Sequence, residues 1–408
     1  MSRALFTAVS GLRNHQIWLD VIGNNIANAN TTGFKQSNVI FSDILSQTLT
    51  SGIAPNGTAG GVNPVQIGLG MKVAAITPNF LQGSIQTTNR NTDLAIQGEG
   101  FFVLANGADR VYTRAGAFNL DAGGNLVDSG TGFTVLGATG PIRINLGQES
   151  PGTPTSRVQL RGNLDYSVAD GTNYVSTFEV RDSVGAAHTL SVTFTKNFAA
   201  APGQWDWAVT EADPALASLT TATGSVTFNA TGGIASGASQ AIGLVYAAGA
   251  GVTSPQAITL DFGTAGNPIP VTGLASASTV TLGSQDGIPP GTLQSFAIGL
   301  DGNITGFYSN GQSQFIDTVQ LANFTNPSGL LQIGSNQYRE SATSGTPSIG
   351  NPNTAGRGTV VAGSLEQSNV DLAQEFTAMI IAERGFQANA RTISTADQLL
   401  EELVNLRR

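Results

Sequence analysis

This sequence predicts a multidomain α+β chain, with long coiled-coil-type helices at both termini and two nested mainly-β domains between them. Three observations carry that expectation. Leu365, Leu372, Met379, Phe386, Ile393 and Leu400 recur every seven residues toward the C-terminus, and Leu5, Leu12, Leu19 and Ile26 do the same at the opposite end. A sustained seven-residue apolar spacing keeps one narrow seam facing a partner helix. From about Val73 short apolar runs bounded by glycine take over, and their rhythm returns late in the chain. Between those two stretches lies a Gly, Ala, Ser and Thr rich segment with hairpins of its own.

Residues 1–34 form the N-terminal half of a helical assembly region. Ala8, His15 and Ile22 fill the positions between the seam leucines, giving the three-then-four spacing of an interhelical contact. Gly11 and Gly23 lie inside this segment, and each costs about 1 kcal/mol relative to alanine in a helix interior. Apolar burial along one stripe falls short of the backbone entropy lost on ordering such long segments. Both ends are therefore expected to order on assembly; the competing expectation is a private two-helix hairpin packed on the β-domains.

Asn28 to Gly33 is a polar breaker cluster, and Thr48 to Asn63 is rich in Gly, Ser, Thr and Asn. Residues 35–72 thus read as a linker or extended arm. A β-domain follows, assembled from 73–147 and 285–363. Its signals are the run around Phe101, Phe102 and Val103, the turn Asp121 to Asn125, and the turn Asp301, Gly302, Asn303 between Phe296–Leu300 and Ile304–Tyr308. Residues 148–284 read as an inserted β-domain. There Phe178 and Val180 are expected to pair with Leu190, Val192 and Phe194 across the Gly185 turn, while Trp205, Trp207 and Val209 share one face.

Residues 364–408 complete the helical region. Ser368 and Asp371 have the spacing of a capping box, which starts the helix at Ser368 and runs it to Leu406. Phe376, Ala390 and Val404 flank the seam on one side, and Ala382, Ala396 and Leu403 on the other. The candidate assembly residues are Leu5, Leu12, Leu19, Ile22, Ile26, Leu372, Phe376, Met379, Phe386, Ile393, Leu400 and Leu403.

A net charge of −9 with 11% charged residues, and lysines only at Lys35, Lys72 and Lys196, argue against a nucleic-acid partner. Cysteine is absent, which removes disulfides, thiolate metal sites and cysteine nucleophiles together. Arg3, Arg13, His15 and Asp20 interrupt the start, so no cleavable secretory signal is expected, and no apolar run is long enough to insert in a membrane. The two histidines, His15 and His188, are too few and too far apart to form a metal cluster. Gly68-Leu69-Gly70 and Gly98-Glu99-Gly100 lack the lysine of a phosphate-binding loop and read as turns. Asp301, Gly302 and Asn303 lack the remaining ligands of a calcium loop, and the adjacent Glu401 and Glu402 cannot face one site. No constellation here carries a reaction, so no enzymatic activity, cofactor or metal is expected.

Three segments resemble one family. LDVIGNNIANANTTGFK, Leu19 to Lys35, resembles the N-terminal signature of the bacterial flagellar rod and hook proteins; the run from Gly363 to Leu406 is similar to their shared tail; QGEGFFVL from Gln97 resembles their common β-domain entry. Glu383 stands where the family often has glutamine. Within the family the insert and the total length resemble the hook members, and the alternative is a distal rod protein of the basal body. The resemblance implies a structural subunit that polymerises into the flexible curved tube joining rod to filament and transmits motor torque as a universal joint. It implies that the terminal helices line the tube, that the first β-domain is the inner one and that the insert forms the outer surface. Implied partners are further copies of the chain, the distal rod protein, the hook cap, the hook-filament junction protein and the flagellar export apparatus, at an extracellular location reached without a cleavable signal. Two other classes share the composition: a surface adhesin, which leaves the paired heptads unexplained, and a carbohydrate-active enzyme with Trp205 and Trp207 as a sugar platform.

Overall fold

A proline-free run with apolar residues every three or four positions forms the helix α1, Ser2–Ala27, of 26 residues. It ends where consecutive Asn side chains compete for the backbone. Asn28 N–H is shared between the carbonyls of Asn24 and Asn25, and Thr31 and Phe34 close successive turns. Gly33 sits at φ +70°, and a Cβ there would lie 2.6 Å from the backbone nitrogen of Ala115, so only glycine fits this close approach. The computed structural model describes residues 2–55, 60–211, 216–249, 251–263 and 269–405.

The C-terminal helix α2 spans Leu372–Asn405, 34 residues, or about 50 Å at 1.5 Å per residue. It begins four residues later than the capping box predicts. Asp371, not Ser368, is the cap: its Oδ1 accepts from the amides of Ala373 (2.9 Å) and Gln374 (3.3 Å). Ser368 Oγ accepts only from Val370 N–H, in a local turn. Leu365, the first member of the heptad run, is on the strand Ser364–Glu366, which pairs antiparallel with Ile85–Thr87. Its place in the seven-residue series is a coincidence of spacing. The expected helix end at Leu406 lies outside the described residues.

The segment read as a linker is a two-stranded antiparallel ribbon. Ser37–Asp43 pairs with Met71–Pro78, Ser46–Thr50 pairs with Val65–Gly68, and an isolated bridge joins Ile53 to Val62. Its turn-rich composition conceals the short apolar runs on its strands, Val39 to Phe41, Leu49, and Val65 with Ile67.

The chain divides into two compact units. The first comprises Met1–Asn145, Phe296–Thr305 and Phe315–Arg408; the second comprises Leu146–Ser295 and Gly306–Gln314. The first unit holds both helices, the ribbon and a nine-stranded sheet that includes Phe101–Asn106, Asp109–Thr113 and Gln337–Arg339. Its core contains an aromatic cluster in which Phe101 meets Phe80, Phe324 and Tyr338 edge-on or nearly so at 5.2–5.8 Å between ring centres. The turn at Asp301 forms as expected, with Asn303 N–H donating to the Asp301 carboxylate and Gly302 at φ +76°.

The second unit is built on a six-stranded and a five-stranded sheet that share one apolar core. The hairpin across Gly185 has Phe178 opposite Leu190 and Val180 opposite His188. Trp205, Trp207 and Val209 do share a face, and that face is the core. Trp205 and Trp207 are fully buried, so neither presents a platform to a sugar. His188 packs beside Tyr246 with its Nε2 3.1 Å from Asp182, a satisfied interior histidine.

Candidate assembly interface

Two small residues bring α1 and α2 together. A Cβ on Gly11 would lie 2.6 Å from Asn389 Nδ2, and a Cβ on Gly385 would lie 2.7 Å from the His15 ring. Farther along, Asn25 Nδ2 donates to Glu375 Oε1 at 3.2 Å. Positions 11, 15 and 25 thus meet 389, 385 and 375, so the helices run antiparallel within one chain. Gly11, which weakens α1 alone, leaves room for the Asn389 side chain of α2, whereas a Cβ on Gly23 would meet nothing within 4 Å. Ala8, Ile22, Ala382 and Ala396 are buried along this contact side. His15 stacks near Trp18 and Phe41, at 6.1 and 6.3 Å between ring centres. Its Nδ1 is buried with no hydrogen-bond partner among the described residues, and burial lowers its pKa below the usual 6.5.

The expected assembly residues divide by depth. Ile22 is buried within its own chain, while Leu5, Leu12, Leu19, Ile26, Met379 and Ile393 are half-buried. Leu372, Phe376, Phe386 and Leu400 are exposed. The Leu403 side chain lies outside the described residues. The heptad reading missed Ile380 and Ile381, exposed by 59% and 56%, and Phe6, exposed by 74%. At 3.6 residues per turn Ile380 lies about 160° around α2 from Ala382. The face bearing Phe376 and Ile380 therefore points away from α1. A simple heptad count overlooked it because it tracks one seam, and α2 carries apolar residues on two sides.

Sequence reasoning also missed the polar junction where the helices meet the β-structure. Glu366 Oε1 accepts from Lys35 Nζ (2.6 Å) and Gly83 N–H (2.9 Å), and its Oε2 lies 3.4 Å from Arg114 Nη1. The Lys35 and Glu366 side chains are completely buried. Burial pulls the Lys35 and Arg114 pKa values down, and the Glu366 charge opposes this in both. Glu375 takes a further bond from Gln36 Nε2 at 2.5 Å. Asn14, also on α1, donates to the Met71 carbonyl at 2.6 Å and ties the helix to the ribbon.

Among the described residues no group of His, Asp or Glu is placed to hold a metal ion, and no helix is long and apolar enough to cross a membrane. The arrangement offers a helix pair with exposed apolar stripes on a base tied together by hydrogen bonds to Glu366 and Glu375.

Four family models match the chain: the flagella basal body rod protein (residues 5–35), the flagellar hook protein FlgE/F/G D1 domain (95–164), the flagellar basal body protein FlaE D2 domain (145–288) and the flagellar basal body rod FlgEFG protein C-terminal (361–406). The chain is 40% identical to the flagellar hook protein FlgE of Treponema pallidum, with all of both chains covered. It is 36% identical to the flagellar hook protein FlgE of Borreliella burgdorferi, again over the whole of both. A flagellar basal-body rod protein FlgG of Bacillus subtilis matches at 32% over the full length.

Proposed function

The chain belongs to the flagellar hook protein family and is a structural subunit of the flagellar hook; from that membership we infer that its paired terminal helices are the assembly element of a helical polymer. The observation that carries this reading is the apolar face of α2, Phe376 and Ile380, turned away from α1 within the chain. An exposed row of large apolar side chains on a long helix is stabilised by burial against another copy. A head-to-tail contact that does not close on itself generates a helical filament.

In this reading Leu5, Leu12, Leu19, Ile26, Leu372, Phe376, Met379, Phe386, Ile393, Leu400 and Leu403 line coiled-coil-type seams, and Ile22 supports them from inside the subunit. The nested organisation follows: 1–34 with 364–408 as the helical region, 35–72 as the arm, 73–147 with 285–363 as the inner β-domain and 148–284 as the outer one. Apolar contacts at low radius hold the tube, while the polar outer domain allows it to bend as it transmits torque from rod to filament. The subunit carries no catalytic role and no cofactor. Its neighbours are copies of itself, with the distal rod protein and the hook-filament junction protein at the two ends, the hook cap during growth, and the flagellar export apparatus as its route to an extracellular location. Support for hook over rod comes from the 40% and 36% identities to hook proteins against 32% to a rod protein.

The test is polymerisation of Phe386→Asp. Its β-structure should fold as the parent does while tubes fail to form; tubes of normal yield and shape overturn the assignment.

A further inference from the structure

The ends of the two sequence signatures nearest the β-structure, Gly33 to Lys35 of the first and Ser364 to Asn369 of the second, lie outside the exposed stripes of α2. They meet each other. Gly33 N–H donates to the Glu366 backbone carbonyl at 2.8 Å, and Gln36 N–H donates to Asn369 Oδ1 at 2.8 Å. Asn369 Nδ2 in turn donates to the carbonyls of Asn79 (2.9 Å) and Leu81 (3.0 Å). Lys35 Nζ reaches the Leu81 carbonyl at 2.8 Å as well as Glu366. Arg114 Nη2 donates to the Gly98 carbonyl at 2.8 Å while its other nitrogen faces Glu366. One carboxylate thus gathers the segment leaving α1, the strand entering α2, the 81–83 segment and the end of a β-strand in the nine-stranded sheet.

A buried ion cluster of this kind is a poor device for stability, because desolvating the charges offsets most of their attraction. It is a good device for direction. Apolar packing tolerates a rotation of a few degrees, whereas donors converging on two carboxylate oxygens lose their bonds. We propose that the Lys35–Glu366–Arg114 cluster is a rigid mount fixing the direction in which the helix pair leaves the β-structure of the first unit, with Glu366 as its positioning residue. On this view Lys35 and Glu366 serve the inside of the subunit, and bending of the tube takes place between subunits. The proposal rests on the helix pair being the assembly element, and its test is arranged to fail independently of that reading.

The chain has no cysteine, so a pair introduced at the exposed positions Asn106 and Gln398 takes spin labels cleanly. Pulsed electron spin resonance on the dilute full chain then reads the spread of distances between the β-structure and α2, with no polymer present. The parent should give one narrow distribution. Glu366→Gln, which keeps the shape and removes the charge, should broaden it at temperatures well below its melting point. Lys35→Gln serves the same purpose if Glu366→Gln does not fold. In unlabelled chains the broadened variant should need about tenfold more protein to polymerise. A broad parent distribution overturns the mount, as does a Glu366→Gln distribution as narrow as the parent's. If the distances behave as stated while polymerisation is unchanged, the mount stands and the assembly reading fails.

Discussion

Replacing Phe376, Ile380 and Ile381 together by serine removes the largest exposed apolar surface of α2. Within one subunit these side chains are 52%, 59% and 56% exposed, so their loss should cost the subunit about 0.6–1.4 kcal/mol each for the part already buried. Complete burial of such a side chain is worth about 1.5–3 kcal/mol. A little over half of that remains to be gained in the polymer, or about 2.5–5 kcal/mol for the three. At 1.4 kcal/mol per factor of ten, the critical concentration for polymerisation should rise by roughly sixtyfold to a few thousandfold. Sedimentation of polymer across a concentration series reads that value directly, and circular dichroism of the dilute variant shows whether both helices survive. A folded triple variant that polymerises at the parent's critical concentration would refute the placement of the interface on this face.

Other perturbations probe the base beneath it. Ala382→Leu forces a larger side chain between α1 and α2 where Ala382 is fully buried, and should destabilise the helix pair by about 1–3 kcal/mol, read as an earlier loss of helical signal on heating. Gly33→Ala asks a Cβ to occupy space 2.6 Å from the Ala115 backbone at φ +70°, and should destabilise the first unit by more than about 1 kcal/mol in denaturant titration. For His15, burial lowers the folded pKa below the usual 6.5. The unfolded chain then binds more protons between the two values, so the stability contributed is complete above about 6.5 and is lost as pH falls through the folded pKa. Helix melting should therefore drop from pH 7.5 to 5, and His15→Leu should flatten that part of the profile. Trp207→Ala should cost the second unit about 3–5 kcal/mol, measured as a lower calorimetric transition with the sugar-independent loss expected of a core residue.

Features with a local period were legible in the sequence. The positions Leu372 to Leu400 announced α2 because a seven-residue spacing repeats within sight of itself, and Gly185 announced its hairpin because both strands alternate around it. The cap was misplaced because Ser368 and Asp371 both suit a helix start, and only the tie from Asn369 to the 79–81 backbone decides which of them is free to cap. The ribbon was read as linker because Gly, Ser and Thr between Thr48 and Asn63 mask the strands that flank them. The polar junction had no local signature at all: Lys35 and Glu366 are 331 positions apart, and nothing near either residue points to the other. Gly11 and Gly23 looked alike as weaknesses in the sequence, yet Gly11 is a contact point facing Asn389 and Gly23 faces nothing within 4 Å, a distinction that depends wholly on what lies opposite.

If subunits join through the outward face of α2, that face disappears from solvent on assembly. A single cysteine at Ile380, in a chain that has none of its own, makes that face addressable by a thiol-reactive probe. The expected result is rapid labelling in the dilute subunit and strong protection in assembled tubes, with a control cysteine at exposed Asp109 labelling equally in both. Equal labelling of the Ile380 position in subunit and tube would contradict the account.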